Sequence, residues 1–302
     1  MRLDRHIPLP HVEGRIDHMA LDAAGQRLFV AALGADRVEV VDLKEGSVAH
    51  VVMGLAEPQG VVFLPATGRF AVACGRDGSL RYYDGATYAP ADVLDLGDDA
   101  DNVRFEADTG RLYVGFGEGG IAVVEKAKKT AEMRLPGHPE AFALQSKGPR
   151  IFVNVPGAGS VVVLDREKGK VLATWALKDA RSNFPMALDE VHNRLLVGCR
   201  DPARLVVLDA ADGHAVSSVE IAGDVDDVFV EEGSRRAFAS CGEGFVDVLM
   251  TADGDRWART ARVATAPGAR TSFLDSKAGR LYVAVPHRGS QAAEIRVYAI
   301  AP

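Results

Sequence analysis

The sequence predicts an all-β fold, and three observations carry the prediction. First, an arginine followed by an apolar run of small and branched residues recurs seven times, as GQRLFVAAL, GRFAVACG, GRLYVGFG, PRIFVNVP, NRLLVGCR, RRAFASCG and GRLYVAVP. The arginines are Arg27, Arg69, Arg111, Arg150, Arg194, Arg236 and Arg280, at intervals of 42, 42, 39, 44, 42 and 44 residues. Second, each is followed by another strand-like run: VEVVDL, LRYYDG, IAVVEK, VVVLDR, LVVLDA, VDVLMT and IRVYAI. Third, no helical period of useful length interrupts these alternating runs. With a further run before each arginine and usually one after the second strand, the unit is four short strands in about 42 residues, with Gly, Asp and Pro turns. Four antiparallel strands at that period form a β-propeller blade, so seven units predict seven blades.

Taken in order, the blades fall at about 17–56, 57–97, 100–136, 138–178, 183–222, 225–265 and 269–301, within a single domain covering 1–302. The first strands are HMALD, GVVFL, NVRFE, AFALQ, PMALD, DVFVE and SFLDS. Polar turns such as KEG (44–46), REKG (166–169) and AADG (210–213) follow the third strands. The seventh unit has only three strands. The N-terminal segment 3–10, which has no unit of its own, is expected to supply the fourth and close the ring, removing exposed sheet edges. The recurring arginine is read as structural, bonding to loop carbonyls or a neighbouring blade.

Size and composition allow such a core. The chain has 302 residues, is 47% apolar and 25% charged, and carries a net charge of −7. No Lys/Arg-rich run points to nucleic acid, and no apolar stretch is long enough to span a membrane. The N-terminus MRLDRHIPLP has no signal-like apolar stretch, which fits a cytoplasmic chain and equally one exported after loss of a leader. Nothing bears on oligomeric state. Cys74, Cys199 and Cys241 form no CxxC and are read as small packing residues five positions after their arginines. His6, His11, His50, His192 and His214 are read as surface residues.

The entrances to the first strands do not repeat. They hold His18, Gln59, Asn102, Glu140, Pro185, Asp227 and Thr271, preceded by Asp17, Pro58, Asp101, Pro139, Phe184, Asp226 and Arg270. Six of the seven entrance positions are polar, and they differ from blade to blade. A structural repeat has no need of that diversity. In a propeller these positions converge on the central channel, so a ligand site is expected at its mouth. Glu140, Asn102 and Asp227 offer hard oxygen donors suited to Ca²⁺ first, and also to Mg²⁺ or Mn²⁺; His18 as a fourth ligand would admit Zn²⁺. His138, His18 and Asp17 are the candidates for activating water. Arg270, His287, Arg288, Asn183 and Gln59 are the candidates for binding a small-molecule substrate, the arginines through an anionic group. The absence of a GxSxG elbow, a P-loop or a dinucleotide fingerprint gives serine-hydrolase, NTPase and Rossmann chemistries no foothold.

The GRLYVA-like strands followed by VxVxD-type strands resemble the YVTN-repeat propellers, the group that includes YncE-like proteins. That likeness covers nearly the whole chain and implies the fold, with a non-catalytic role in binding a small molecule, a metal or a protein. A more local likeness is to the calcium-dependent lactonase propellers, the senescence-marker-like gluconolactonases and paraoxonases, which hold a metal with Glu, Asn and Asp from first strands. Glu140, Asn102 and Asp227 match that ligand set. It implies hydrolysis of lactones, esters or phosphotriesters, the metal polarising the substrate oxygen and a carboxylate or histidine activating water. A quinone-dependent dehydrogenase is disfavoured, because only Trp175 and Trp257 stand where that class has a tryptophan-rich motif.

Overall fold

The computed structural model describes residues 1–231 and 234–301. Its strands form seven four-stranded antiparallel sheets, and the fold is a seven-bladed β-propeller. Blade one comprises Met19–Asp22, Arg27–Ala32, Arg37–Asp42 and Ser47–Met53. Blade two comprises Pro58–Leu64, Arg69–Cys74, Ser79–Asp84 and Pro90–Asp95. Blade three comprises Val103–Glu106, Arg111–Phe116, Gly120–Glu125 and Lys128–Arg134. Blade four comprises Phe142–Leu144, Arg150–Val155, Ser160–Asp165 and Lys170–Ala176. Blade five comprises Arg181–Asp189, Arg194–Asp201, Ala203–Asp209 and Ala215–Glu220. Blade six comprises Val225–Val230, Arg236–Cys241, Phe245–Thr251 and Trp257–Ala264. In blade seven, Ser272–Asp275, Arg280–Val285 and Glu294–Ala299 are completed by the N-terminal strand Arg2–Pro8 as the fourth. Among the described residues no helix is long and apolar enough to cross a membrane.

By internal packing the chain divides into two compact units. One is built on Leu3–Arg134 with Ala284–Val297, the other on Leu135–Val283 with the residues from Tyr298 onward. In each, the second strand of a blade is buried along its length, as in Arg27–Ala32 or Arg150–Val155. A strand covered on both faces needs a continuous apolar run rather than an alternating one, which is why these segments read as Leu-Phe-Val-Ala and Ile-Phe-Val-Asn. Fourth strands such as Ser47–Met53 are mostly exposed and alternate accordingly. Between blades one and two the core is aromatic. Phe29 lies 4.6 Å from Phe70 and 5.8 Å from Phe63, ring centroid to centroid.

The VxVxD pattern has a local cause. Asp42 Oδ1 accepts hydrogen bonds from the N–H groups of Lys44 and Glu45, both at 2.9 Å, and the turn closes at Gly46 with φ +72°. Asp84 and Asp165 repeat the arrangement. A carboxylate at the end of a strand that caps the next two N–H groups is an Asx turn, and these amides hold the Asp84 and Asp165 carboxyls below their usual range.

Four of the recurring arginines reach the next blade or the segment after it, while Arg69 and Arg111 pair with Asp92 and Glu125 of their own blades. Arg27 donates to the carbonyl of Gly85, Arg150 to that of Ala210 at 2.6 Å, and Arg236 to that of Ala301 at 2.7 Å. Arg194 reaches Asp255 at 2.7 Å. The structural reading of these residues holds. So does that of the cysteines, all three buried and free. Cys74, Cys199 and Cys241 pair across the sheet with Pro58, Asn183 and Val225, where the first strands of blades two, five and six slip register. A bulged strand entrance leaves room for only a small neighbour. Burial raises all three thiols, Cys199 to about 12, so none is a nucleophile at neutral pH.

Candidate functional site

The strand entrances are best taken unit by unit. In the first unit, His18 precedes Met19–Asp22 and Asn102 precedes Val103–Glu106, while Gln59 lies inside Pro58–Leu64. Asp17 is buried. Arg15 Nη2 stands 2.9 Å from its Oδ2, and His18 Nε2 stands 3.8 Å from its Oδ1. The Asp17 carboxylate thus lies close to the Arg15 guanidinium and within ion-pair range of the His18 imidazole. Asn102, also buried, accepts a hydrogen bond from Arg104 Nη2 at 3.1 Å. Gln59 Nε2 donates to Asp99 Oδ1 at 3.1 Å, tying blade two to blade three. The same two blades meet so closely that a Cβ on Gly60 would lie 2.2 Å from the carbonyl oxygen of Asp101. His287 pairs with Glu13 at 2.7 Å, and Arg288 closes a small exposed hairpin with Gln291.

The second unit is more heavily bonded. Asn183 and Asn154 are fully buried. Asn183 Nδ2 donates to Asn154 Oδ1 at 2.9 Å and to the Ser160 carbonyl at 3.0 Å. Asn154 Nδ2 in turn donates to the carbonyls of Phe184 at 3.0 Å and Pro185 at 3.1 Å. This amide pair joins blade four to blade five through the interior; the Asn183 amide nitrogen is used in that tie, while its Oδ1 is buried without a hydrogen-bond partner. Asp227 does similar duty: its Oδ2 accepts from the Ser272 N–H of blade seven at 2.7 Å.

Next to Asp227 lies a cluster of four charges drawn from blades five to seven. Arg200 spreads over the Phe184 ring at 3.9 Å, donates to the Val225 carbonyl at 2.9 Å, and pairs with Asp226. Arg270 Nε stands 2.9 Å from Asp226 Oδ2, and its Nη1 donates to Asp224 at 3.0 Å. Two guanidiniums thus clamp one nearly buried carboxylate and share a second, more exposed one. Arg270 and Arg200, both read from the sequence as able to hold an anionic group, meet here on carboxylates of the same chain. Asn154 and Asp224 are not singled out by the sequence. Asn154 sits in a strand that otherwise reads as plain core, and only its polarity there marks it.

The expected metal donors are engaged from within the chain. Asn102 shares its oxygen with a guanidinium, Asp227 accepts from a backbone amide, and neither Glu140 nor His18 is without a partner. A cation at Asn102 would sit beside Arg104, against Coulomb repulsion. Among the described residues no group of three or more His, Cys, Asp or Glu side chains is placed to hold a metal ion.

Comparison with solved structures agrees on the fold. The chain is similar to a Kuenenia stuttgartiensis hydrazine synthase structure, with a TM-score of 0.79 at 14% identity over 90% of this chain and 94% of that one. It is also similar to a chain of a mitotic checkpoint complex, with a TM-score of 0.84 at 13% identity over 100% of this chain and 92% of that one. No protein-family model and no curated protein sequence matches it. The class defined is therefore the seven-bladed β-propeller. At such low identity these likenesses speak for architecture alone.

Proposed function

We propose that the protein is a non-catalytic binding propeller, in the manner the YVTN-like repeats imply, and that it recognises a protein partner with the strand-entrance surface of blades five to seven. The single observation that supports this reading is the Arg200–Asp226–Arg270–Asp224 cluster. Its carboxylates are compensated by guanidiniums of the same chain, which makes them poor cation ligands but good fixed anchors. The Phe184–Arg200 stack adds a rigid aromatic and cationic surface of the kind that concentrates binding energy at interfaces. One of the similar structures is a chain of a multi-protein complex, the mitotic checkpoint complex, which is compatible with a role in binding proteins.

The alternative expected from the sequence is a divalent-metal hydrolase of lactones, esters or phosphotriesters, relying on Glu140, Asn102 and Asp227. One set of experiments separates the two. Purified protein is used to capture partners alongside an Asp224→Ala/Arg270→Ala variant, and both are assayed on lactone and phosphotriester panels with and without EDTA. The proposal expects a protein retained by the wild type and lost from the variant, with no EDTA-sensitive turnover. Turnover that EDTA removes and that Glu140→Gln abolishes would establish the hydrolase instead.

A further inference from the structure

Between the outer strands of blades four and five lies a cavity of about 520 Å³, wholly within one compact unit. Trp175 and Leu177 from blade four and Val206 and Leu208 from blade five form its apolar part, while Lys178, Asp179, Asp212 and His214 line its polar part, so that an anion is favoured at the Arg204 end and not beside the two carboxylates. Trp175 is seated firmly. Its ring packs on Phe152 at 5.7 Å and lies so flat against Gly213 that a Cβ there would come within 2.2 Å of the indole. Arg204 also lines the cavity, and its Nε is buried without a hydrogen-bond partner. Among the described residues no carboxylate forms an ion pair with it.

The repeat shows what is missing. Strand register places Asp42 opposite Arg27 in blade one and Asp209 opposite Arg194 in blade five. Counting back from these aspartates, Arg204 corresponds to Arg37 and Val206 to Glu39. In blade one, Arg37 Nε and the buried Glu39 carboxylate stand 2.7 Å apart as an ion pair, although neither makes a geometrically formed hydrogen bond, so what blade five lacks is the countercharge. In blade six the position of Glu39 is held by Asp247, also buried and bonded to Arg262 at 2.7 Å. Blade five keeps the arginine, replaces the acid with valine, and has an open cavity beside it. A buried guanidinium nitrogen without an acceptor carries an uncompensated desolvation cost, which an incoming anion would recover.

We propose that this cavity is a binding site for a small carboxylate-bearing molecule with an apolar, ring-shaped body. Its carboxylate takes the place that Glu39 holds beside Arg37. Its ring packs between Trp175 and the Val206–Leu208 wall, at the spacing aromatic pairs favour. The volume suits a ligand of that size. This site is separate in residues and chemistry from the entrance cluster, and it stands whether or not that surface binds a protein.

Trp175 supplies the readout, since the other tryptophan, Trp257, is buried in blade six. Titration of the full chain with 2-naphthoate is expected to give a saturable fluorescence change that Trp175→Phe removes. The neutral 2-naphthamide should bind at least tenfold more weakly. Arg204→Met should weaken 2-naphthoate at least tenfold, and Val206→Glu, which restores the acid of blade one, should abolish its binding. If Val206→Glu does not fold, Ser218→Trp, which fills the cavity from its lining, replaces it with the same expected loss. No saturable change up to millimolar 2-naphthoate, or equal affinity for wild type and a folded Arg204→Met, overturns the proposal.

Discussion

Two arginine–aspartate clusters of the same chemistry occupy the strand-connecting loops and entrances, one in each compact unit. In the first, Arg76 bonds both oxygens of Asp36 at 3.0 Å and reaches Glu57 at 3.1 Å, with about half of the Arg76 and Asp36 side chains exposed (53% and 44%). In the second, Arg200 and Arg270 clamp Asp226, whose side chain is only 9% exposed. Counted as ion pairs they look alike. Physically they are not, because water screens the first and is largely excluded from the second. A buried charge that loses its partner keeps its desolvation cost, whereas an exposed one is rehydrated.

The largest effect is therefore expected from Asp226→Ala. It leaves two half-buried guanidiniums competing for Asp224, and should lower stability by about 2–3 kcal/mol, below the full cost of an orphaned buried charge because Asp224 remains. Urea denaturation with an unchanged slope measures it. A loss no larger than that of an exposed pair would show that burial does not distinguish the clusters.

Gly60→Ala comes next, and probes the first unit where packing rather than charge sets the entrance. The new Cβ would meet the Asp101 carbonyl oxygen at 2.2 Å and the Val103 N–H at 3.1 Å, both backbone, so blades two and three must part slightly. Overpacking of this kind costs about 1–3 kcal/mol. A neutral result in thermal unfolding would mean that the two blades are not held at that distance.

These contrasts also mark what was legible in the sequence. The blade period and the strand order are carried by repetition, because every blade must satisfy the same sheet geometry, and several share the same Asx turn and arginine tie. Arg27, Arg150, Arg194 and Arg236 each do one job. The entrances carry no such constraint, and there the reading faltered. Their unequal polarity was visible, but polarity alone does not separate a ligand-binding group from an inter-blade tie. Asn183 and Asp227 hold neighbouring blades together, a role that only the partner strand reveals. The strand limits differed for the same reason. Blade four begins its first strand only at Phe142, leaving Glu140 ahead of it, while blade five begins at Arg181, because bulges and backbone bonds to neighbours decide where a ladder starts.

A smaller effect is expected from the repeated turn aspartates. Asp84, Asp165 and Asp253 have carboxyls held below their usual range, chiefly by backbone N–H donors. A carboxyl whose folded pKa is depressed contributes stability that is fully present above its unfolded value, about 3.8, and is lost as pH falls through the folded value. The melting temperature should therefore drop as pH falls below about 4. Asp165→Asn keeps an oxygen acceptor for the Glu167 and Lys168 amides while removing the titration. It should melt like the wild type at pH 7 and lose slightly less between pH 4 and 2. An equal acid loss in the variant would assign the effect to other carboxyls.

The smallest effect belongs to Arg76→Ala, which completes the comparison from its exposed side. The arginine is fully solvated at its head group, and its pairing with Asp36 and Glu57 fixes a long side chain at an entropic cost that offsets most of the Coulomb attraction. Asp36 does not depend on it alone, since its Oδ1 also accepts the Glu57 N–H at 3.1 Å. The urea midpoint of Arg76→Ala should therefore match the wild type within measurement error at physiological salt, and any difference at low salt should vanish as salt is added. A midpoint shift as large as that of Asp226→Ala, persisting in high salt, would mean that the exposed cluster is as firmly built into the fold as the buried one, and the distinction between the two units would fail.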